Sequence, residues 1–298
     1  MSVVCSIPII RINADFRLAI KSLFALEHSD VCYLLYFDHL RIESEKDILE
    51  WKIFENFLFS SQRWAANQVV LVCSTKKNGL IGSWNESARL GWSVWQDPKY
   101  FFWGSDHDVW SPNFLDFPLQ VFSEFSSARL AVPQCGDLQE GKIKRIEPSN
   151  TQFGSARFHG PFSPGYSIYG VFNIGGYPQL PNSFLPDRLF LSKFSLRNSI
   201  VGQNSLQIMY LRRRVIGEEF SVQRQSRNLW GGKTPFPHNL RFPWWCSHIL
   251  SLSFTFLQEF FKNLDKKLFL WYLRMVSDRL KRSKILGFLL NKITKINF

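Results

Sequence analysis

An α/β fold built on a mostly parallel central sheet, with helices on both faces and a mainly helical C-terminal segment, is the class this sequence predicts. Two patterns carry the prediction. Apolar runs rich in Val, Ile, Tyr and Phe alternate with helix-period segments through roughly the first 130 residues, and such alternation implies crossover connections between parallel strands. Beyond Leu257 the period is helical alone, with Phe261, Leu264, Leu268, Trp271 and Met275 recurring at three- and four-residue steps between Lys and Arg.

Each element has its own signal. VVCSIPIIRI, from Val3, is a buried strand, and ADFRLAIKSLFAL is a helix with Phe16, Ile20, Leu23 and Phe24 on one face. VCYLLYFD is a second strand, ending at Asp38. Ser44, with Asp47 three residues on, opens the helix EKDILEWKIFENFLF in the manner of a capping box. NQVVLVCST is a third strand, GSWNESARLGWSVW a third helix and KYFFWGS a fourth strand. Ser111-Pro112 begins a further helix, since proline is welcome in a first turn, and ARLAVP is a fifth strand. From Gln134 to Pro181, Gly, Pro, Ser and Asn dominate, which predicts loops with one short strand, placed to cover a site. A helix over DRLFLSKFSL follows from Asp187.

Composition narrows the partners. Hydrophobic residues at 45% and charged residues at 20% fit a folded chain rather than a disordered one, and 29 Phe with 11 Trp imply a large aromatic core. The formal net charge of +12 points to an anionic partner, but Gln258 to Phe298 holds ten Lys or Arg against three Asp or Glu. The charge is therefore a basic tail. No RNP-like, zinc-finger or helix-turn-helix pattern accompanies it, so nucleic acid is not the expected partner. Cys5, Cys32, Cys73, Cys135 and Cys246 form no CxxC pair, which argues against structural zinc and for a reducing, cytoplasmic compartment. MSVVCSIPII lacks a basic leader, so no signal peptide is expected. The apolar uncharged run Phe242 to Gln258 contains Pro243 and His248 and falls short of a spanning helix.

The chemistry concentrates in YFFWGSDHDVW, where Asp106 and Asp108 follow a wall of aromatics. In open parallel sheets ligands bind beyond the carboxyl ends of the strands, which is where Asp38, Asp106 and Asp108 fall. Residues two apart on a strand point the same way, so the pair can converge on one hard cation, Mg or Mn. A divalent ion there would neutralise a diphosphate leaving group. The other reading makes them two solvated loop aspartates that cap the helix at Ser111-Pro112. His107 is expected on the opposite face, in a structural role. Arg212, Arg213 and Arg214 read as a solvated face rather than a diphosphate clamp.

In order, VVCSIPII, AIKSLFAL, the strand ending in Asp38, NGLIGSWNESARLGW, YFFWGSDHDVW and a Pro-led helix resemble the family-two glycosyltransferases with the GT-A, Rossmann-like fold. The likeness covers residues 3 to about 130 well and 180 to 215 loosely. It implies a metal-assisted transfer of sugar from a nucleotide-diphospho-sugar donor to a saccharide or lipid-linked acceptor. It implies that Pro8 and the residues after it line the nucleotide pocket, and that Asp38 contacts base or ribose, unless Asp38 only initiates a turn. Asp106 would contact ribose or sugar and share the metal with Asp108. Asp187, following Pro186 where the family's motif has Glu, matches the general base by position; it could equally serve as a helix N-cap. The family's Thr-Tyr-Asn after the first-strand proline is Ile9, Ile10 and Arg11 here, and its Ala-Arg-Asn is either Trp84-Asn85 or Ala88-Arg89-Leu90. Residues 1–215 then form the donor- and acceptor-binding domain, and 216–298 an extension. Its basic amphipathic tail either docks on the anionic inner face of a membrane or packs against the catalytic domain.

Overall fold

The computed structural model describes residues 2–9, 12–38, 44–75, 78–139, 142–145, 165–181, 186–195, 198–203 and 205–214, with Phe254, Leu257 and Phe261. They belong to two units. The larger takes in Met1–Phe158, Tyr166–Leu180 and Asn198–Thr234; the smaller takes in His159–Gly165, Pro181–Arg197 and Pro235–Phe298.

Strands of the larger unit are β1 (Val3–Ile9), β2 (Val31–Asp38), β3 (Val69–Ser74), β4 (Tyr100–Trp103), β5 (Val109–Trp110), β6 (Ala128–Val132), β7 (Cys135–Gln139), β8 (Lys142–Arg145), β9 (Val171–Phe172), β10 (Ser199–Gly202) and β11 (Tyr210–Arg214). Its helices are α1 (Ala14–Phe24), α2 (Glu45–Phe59), α3 (Gln62–Ala65), α4 (Gly79–Val94) and α5 (Asp116–Glu124), and α6 (Pro186–Ser195) belongs to the smaller unit.

The central sheet has seven strands in the order β10-β6-β9-β4-β1-β2-β3. All neighbours are parallel except β9, which runs antiparallel between β4 and β6. This is the predicted class. Every residue of β1 is buried, as expected of a strand covered on both faces. Phe37 and Leu34 lie three apart on β2 and so face opposite sides. Phe37 meets Phe16 of α1 and Phe54 and Trp51 of α2 in edge-on contacts, while Leu34 faces Gly91 of α4. Burying rings such as Phe16, Phe37 and Phe54 contributes about 1.5–3 kcal/mol each.

Local rules explain the helix ends. Asn13 caps α1, its side chain accepting from the Phe16 N–H at 2.9 Å. Ser44 and Asp47 make the expected capping box of α2. Arg63 of α3 closes the exit from α1, donating to the carbonyls of Phe24, His28 and Ser29 at 3.0–3.3 Å, and to that of Leu26. A cation suits these unpaired carbonyls.

Three expectations need correction. The helix placed at Ser111-Pro112 starts instead at Asp116, because that segment is already committed elsewhere. The Ser111 N–H donates to the Met209 carbonyl and the Pro112 carbonyl accepts from Glu27, both at 2.9 Å. The stretch from Gln134, expected as loops with one strand, also holds the β7–β8 hairpin. Leu211 to Arg214 lie on β11, in a second sheet of order β5-β11-β7-β8. β5 is only two residues long and the other three strands mix charged with apolar residues, which left little period-2 signal in the sequence. The basic tail lies outside the described residues apart from Leu257 and Phe261, which are helical, as is Phe254. Cys246, Ile10 and Arg11 also lie outside them. Among the described residues no helix is long and apolar enough to cross a membrane.

Candidate functional site

The carboxyl ends of β1, β2 and β4 open onto one rim of the sheet. Ser6 on β1 pairs with Trp103 on β4, and its carbonyl accepts from the Gly104 N–H at 2.9 Å. Two residues on, Pro8 turns the same edge outward beyond the end of β4, so its missing N–H costs no ladder bond. Pro8 is buried and in register with Tyr36.

Past β4 the chain bends instead of continuing as a strand, and this decides the fate of the aspartate pair. Asp108 is 1% exposed. Its Oδ2 accepts from the Tyr210 hydroxyl at 2.5 Å, and its Oδ1 from the Arg213 backbone N–H at 2.9 Å. Burial, and then the Asp108 charge, push the Tyr210 phenol well above its usual pKa, so it remains the donor. Asp106 is 17% exposed and lies 2.7 Å from His107 Nδ1. The other ring nitrogen, Nε2, is 3.8 Å from Asp108 Oδ1. His107 therefore does not take the opposite face; its ring lies between the two carboxylates. Burial lowers its pKa, but the Asp106 hydrogen bond and the charges of Asp108, Asp106 and Asp15 outweigh that and push it up to about 9. Around neutral pH it is an imidazolium.

The pair does not form the expected two-carboxylate cradle. Among the described residues no group of three His, Cys, Asp or Glu side chains is arranged to hold a metal. Asp106, at the rim, fits a hard cation; Asp108, enclosed and bonded through both oxygens, does not in this arrangement. Nor does Asp108 cap α5.

Sequence reasoning missed what surrounds Asp108. Tyr210 comes from β11, which joins the loop by pairing antiparallel with β5, Tyr210 opposite Trp110. Arg213 Nη1 reaches Asp15 Oδ1, in the first turn of α1, at 2.6 Å. The three arginines thus separate. Arg212 makes a two-point pair with Asp137 at 2.7 and 3.0 Å, whereas Arg213 joins the aspartate cluster. Of the Arg214 side chain nothing is described. The only sequence signal was a three-arginine run after a tyrosine, without a hint of its partners.

Asp38 has a structural task at the second part of the rim. Its carboxylate accepts the N–H groups of Asn78 at 2.9 Å and Gly79 at 3.2 Å, capping α4 from outside the helix. Gly79, at φ 71°, takes a left-handed conformation that favours glycine. The Asn78 side chain is freed to donate to the Tyr36 hydroxyl at 2.6 Å and to Ser74 at 3.1 Å. Beside this cap lies a polar cavity of about 430 Å³, lined by residues that include Ser74, Asn78, Glu86, Arg89, Tyr177 and Gln179. Asn85 closes one wall, exchanging two hydrogen bonds with the Leu180 backbone at 2.9 and 2.7 Å. Arg89 pairs with Glu86 at 2.6 and 3.0 Å on that wall, while Trp84 packs inward against Trp103 and Tyr169. Asp187 stands in the first turn of α6, in the smaller unit.

A mostly parallel sheet with one antiparallel strand inserted, and an acidic loop past β4, has the fold of the GT-A-type glycosyltransferases. Solved structures bear this out. S. aureus TarS 1–349 in complex with UDP-GlcNAc matches with a TM-score of 0.56 at 10% identity, covering 94% of this chain and 81% of that one. Another S. aureus TarS crystal structure gives 0.53 at 11% identity over 87% of this chain, and only 44% of that chain is spanned. The mannosyltransferase PcManGT from Pyrobaculum calidifontis, in complex with GDP-Man and Mn2+, gives 0.50 at 10% identity over 99% of this chain and 79% of its own. At such identities the likeness shows the fold alone. No protein-family model matches the sequence, and no curated protein does.

Proposed function

We propose that this protein is a glycosyltransferase that moves a sugar from a nucleotide-diphospho-sugar to a saccharide or lipid-linked acceptor. One observation carries the reading: Asp106, His107 and the Asp15–Arg213 pair gather at the carboxyl ends of adjacent parallel strands, in a GT-A-type sheet. The polar cavity beside the Asp38 cap suits the nucleoside, with Pro8 at the floor of the rim. Its amides and hydroxyls offer both donors and acceptors to a base or ribose.

In an inverting transfer the acceptor oxygen bonds to the anomeric carbon while the bond from that carbon to the β-phosphate oxygen breaks. The electron pair leaves with the diphosphate, and the acceptor proton passes to a carboxylate. Asp187 is our candidate for that base, on its position in the sequence. Asp106 would hold a divalent cation, Mg2+ or Mn2+, whose chemistry is to neutralise the diphosphate; the Mn2+ bound to PcManGT supports the use of a divalent cation, and the choice of Asp106 rests on its place at the rim. We assign residues 1–215 to donor and acceptor binding and 216–298 to an extension whose basic tail approaches an anionic membrane at the cytoplasmic face.

Incubation with a panel of UDP- and GDP-sugars and Mn2+ tests the reading. Release of free nucleotide is expected with at least one donor, and neither release nor binding with any of them would end it. One observation favours a donor-binding scaffold without turnover, namely that Asp108 is sealed by Tyr210 and Arg213. Tight donor binding with no nucleotide released would select that alternative.

A further inference from the structure

Arg213 carries an inference that goes past the general reading. Its two ends do different work. The backbone N–H holds Asp108, while the side chain, 28% exposed, crosses to Asp15, which is 42% exposed at the start of α1. The described contact runs from Nη1 to a single carboxylate oxygen, Asp15 Oδ1. Asp15 meets the guanidinium at this one described point. Arg212, next along the strand, differs in this respect, since Asp137 engages it at two points.

A guanidinium offers a planar fork that suits two phosphate oxygens, and phosphate competes well for it against a solvent-exposed carboxylate held at one point. Asp15, on the first turn after β1, can turn toward solvent without leaving a buried charge behind. The geometry therefore points to Arg213 as a latch for the donor's diphosphate, held by Asp15 when the site is empty and released to the phosphates when donor binds. This proposal rests on the glycosyltransferase reading and adds a residue and a competitor to it. It also predicts opposite effects from the two members of the pair, which a merely structural ion pair would not produce.

Calorimetry with UDP, GDP, uridine and guanosine, in the presence of Mn2+, separates the possibilities. Arg213→Ala keeps the backbone N–H that holds Asp108, so the loop anchor is preserved. It should weaken binding of whichever nucleoside diphosphate the wild type takes by about tenfold or more, the scale of one charge-assisted hydrogen bond, and leave the matching nucleoside unchanged. Asp15→Asn removes the competitor and keeps the Asn13 cap of α1. It should tighten the diphosphate severalfold, again with no effect on the nucleoside. Arg213→Lys should fall between Arg213→Ala and the wild type. If the wild type binds a nucleoside diphosphate and Arg213→Ala binds it equally well, the latch is wrong and the broader reading stands. The latch is equally wrong if Asp15→Asn weakens binding as much as Arg213→Ala does. If the wild type binds no nucleoside diphosphate, the broader reading falls and takes the latch with it.

Discussion

Asp108 shows how far a residue's meaning depends on what folds around it. In the sequence it is half of an acidic pair; in the structure it is an acceptor that fixes a loop to a distant strand. Asp108→Ala should therefore lower stability by about 1–3 kcal/mol, because the Tyr210 hydroxyl and the Arg213 N–H lose their acceptor inside the protein. Asp108→Asn should cost less, since an amide can still accept one bond and donate to the phenol oxygen. Urea denaturation followed by circular dichroism measures both, and an Asp108→Ala protein as stable as wild type would show that these bonds anchor nothing. Asp187→Asn probes chemistry instead. It should leave donor affinity near normal and cut turnover about 10²-fold, the lower end of what a general base contributes, as read from nucleotide release. Asp38 was legible as a rim residue because a strand ended on it. Its use as an external cap for α4 was not, since the N–H groups it accepts lie forty residues away.

At the scale of elements, the placing of α4 depends on close approach. A Cβ on Gly91 would come within 2.3 Å of the Ser6 hydroxyl, which is buried and already donates to the Ser87 carbonyl at 2.7 Å. Ser6 is short and so enclosed that it cannot swing clear. Gly91→Ala should cost about 1–3 kcal/mol by overpacking, and it should displace the helix that lines the cavity. Thermal melting gives the first effect; weakened nucleoside binding out of proportion to that of a variant in α5 gives the second. The strands and helices of the first 130 residues were readable because each buries a face with its own period. Glu45–Phe59 even matches its sequence-derived limits. The second sheet was hidden for the opposite reason. Tyr210 to Arg214 is polar along most of its length, and its partners are set by a β5 of two residues and a β7 some 75 positions earlier. His107 was misplaced because a strand was extended through a bend, and side-chain alternation holds only within a strand.

For the whole molecule, the balance of charge sets the remaining expectation. Seven of the twelve net positive charges fall between Gln258 and Phe298, and apolar and cationic residues interleaved in this way suit the headgroup boundary of an anionic bilayer. Full-length protein should float with vesicles containing phosphatidylserine and be released by salt. A chain ending near Ser251 should stay unbound and monodisperse; if it aggregates, the tail covers apolar surface of the protein itself, and membrane docking is the wrong account of it.

The tie between Asp108 and β11 also has a consequence in time. The carboxylate and its two donors are separated by 102 and 105 positions in the chain. A ribosome adds residues at roughly 5–20 per second, so the acidic loop emerges several seconds before the strand that completes it. Until then β1, β2, β3 and β4 can pair with one another, but the bend after Trp103 has neither the phenol nor the backbone donor that shapes it. The rim on which the proposed chemistry depends is therefore among the last parts of the larger unit to take form. Nascent chains arrested before Tyr210 should hold a protected parallel sheet and an acidic loop still open to protease.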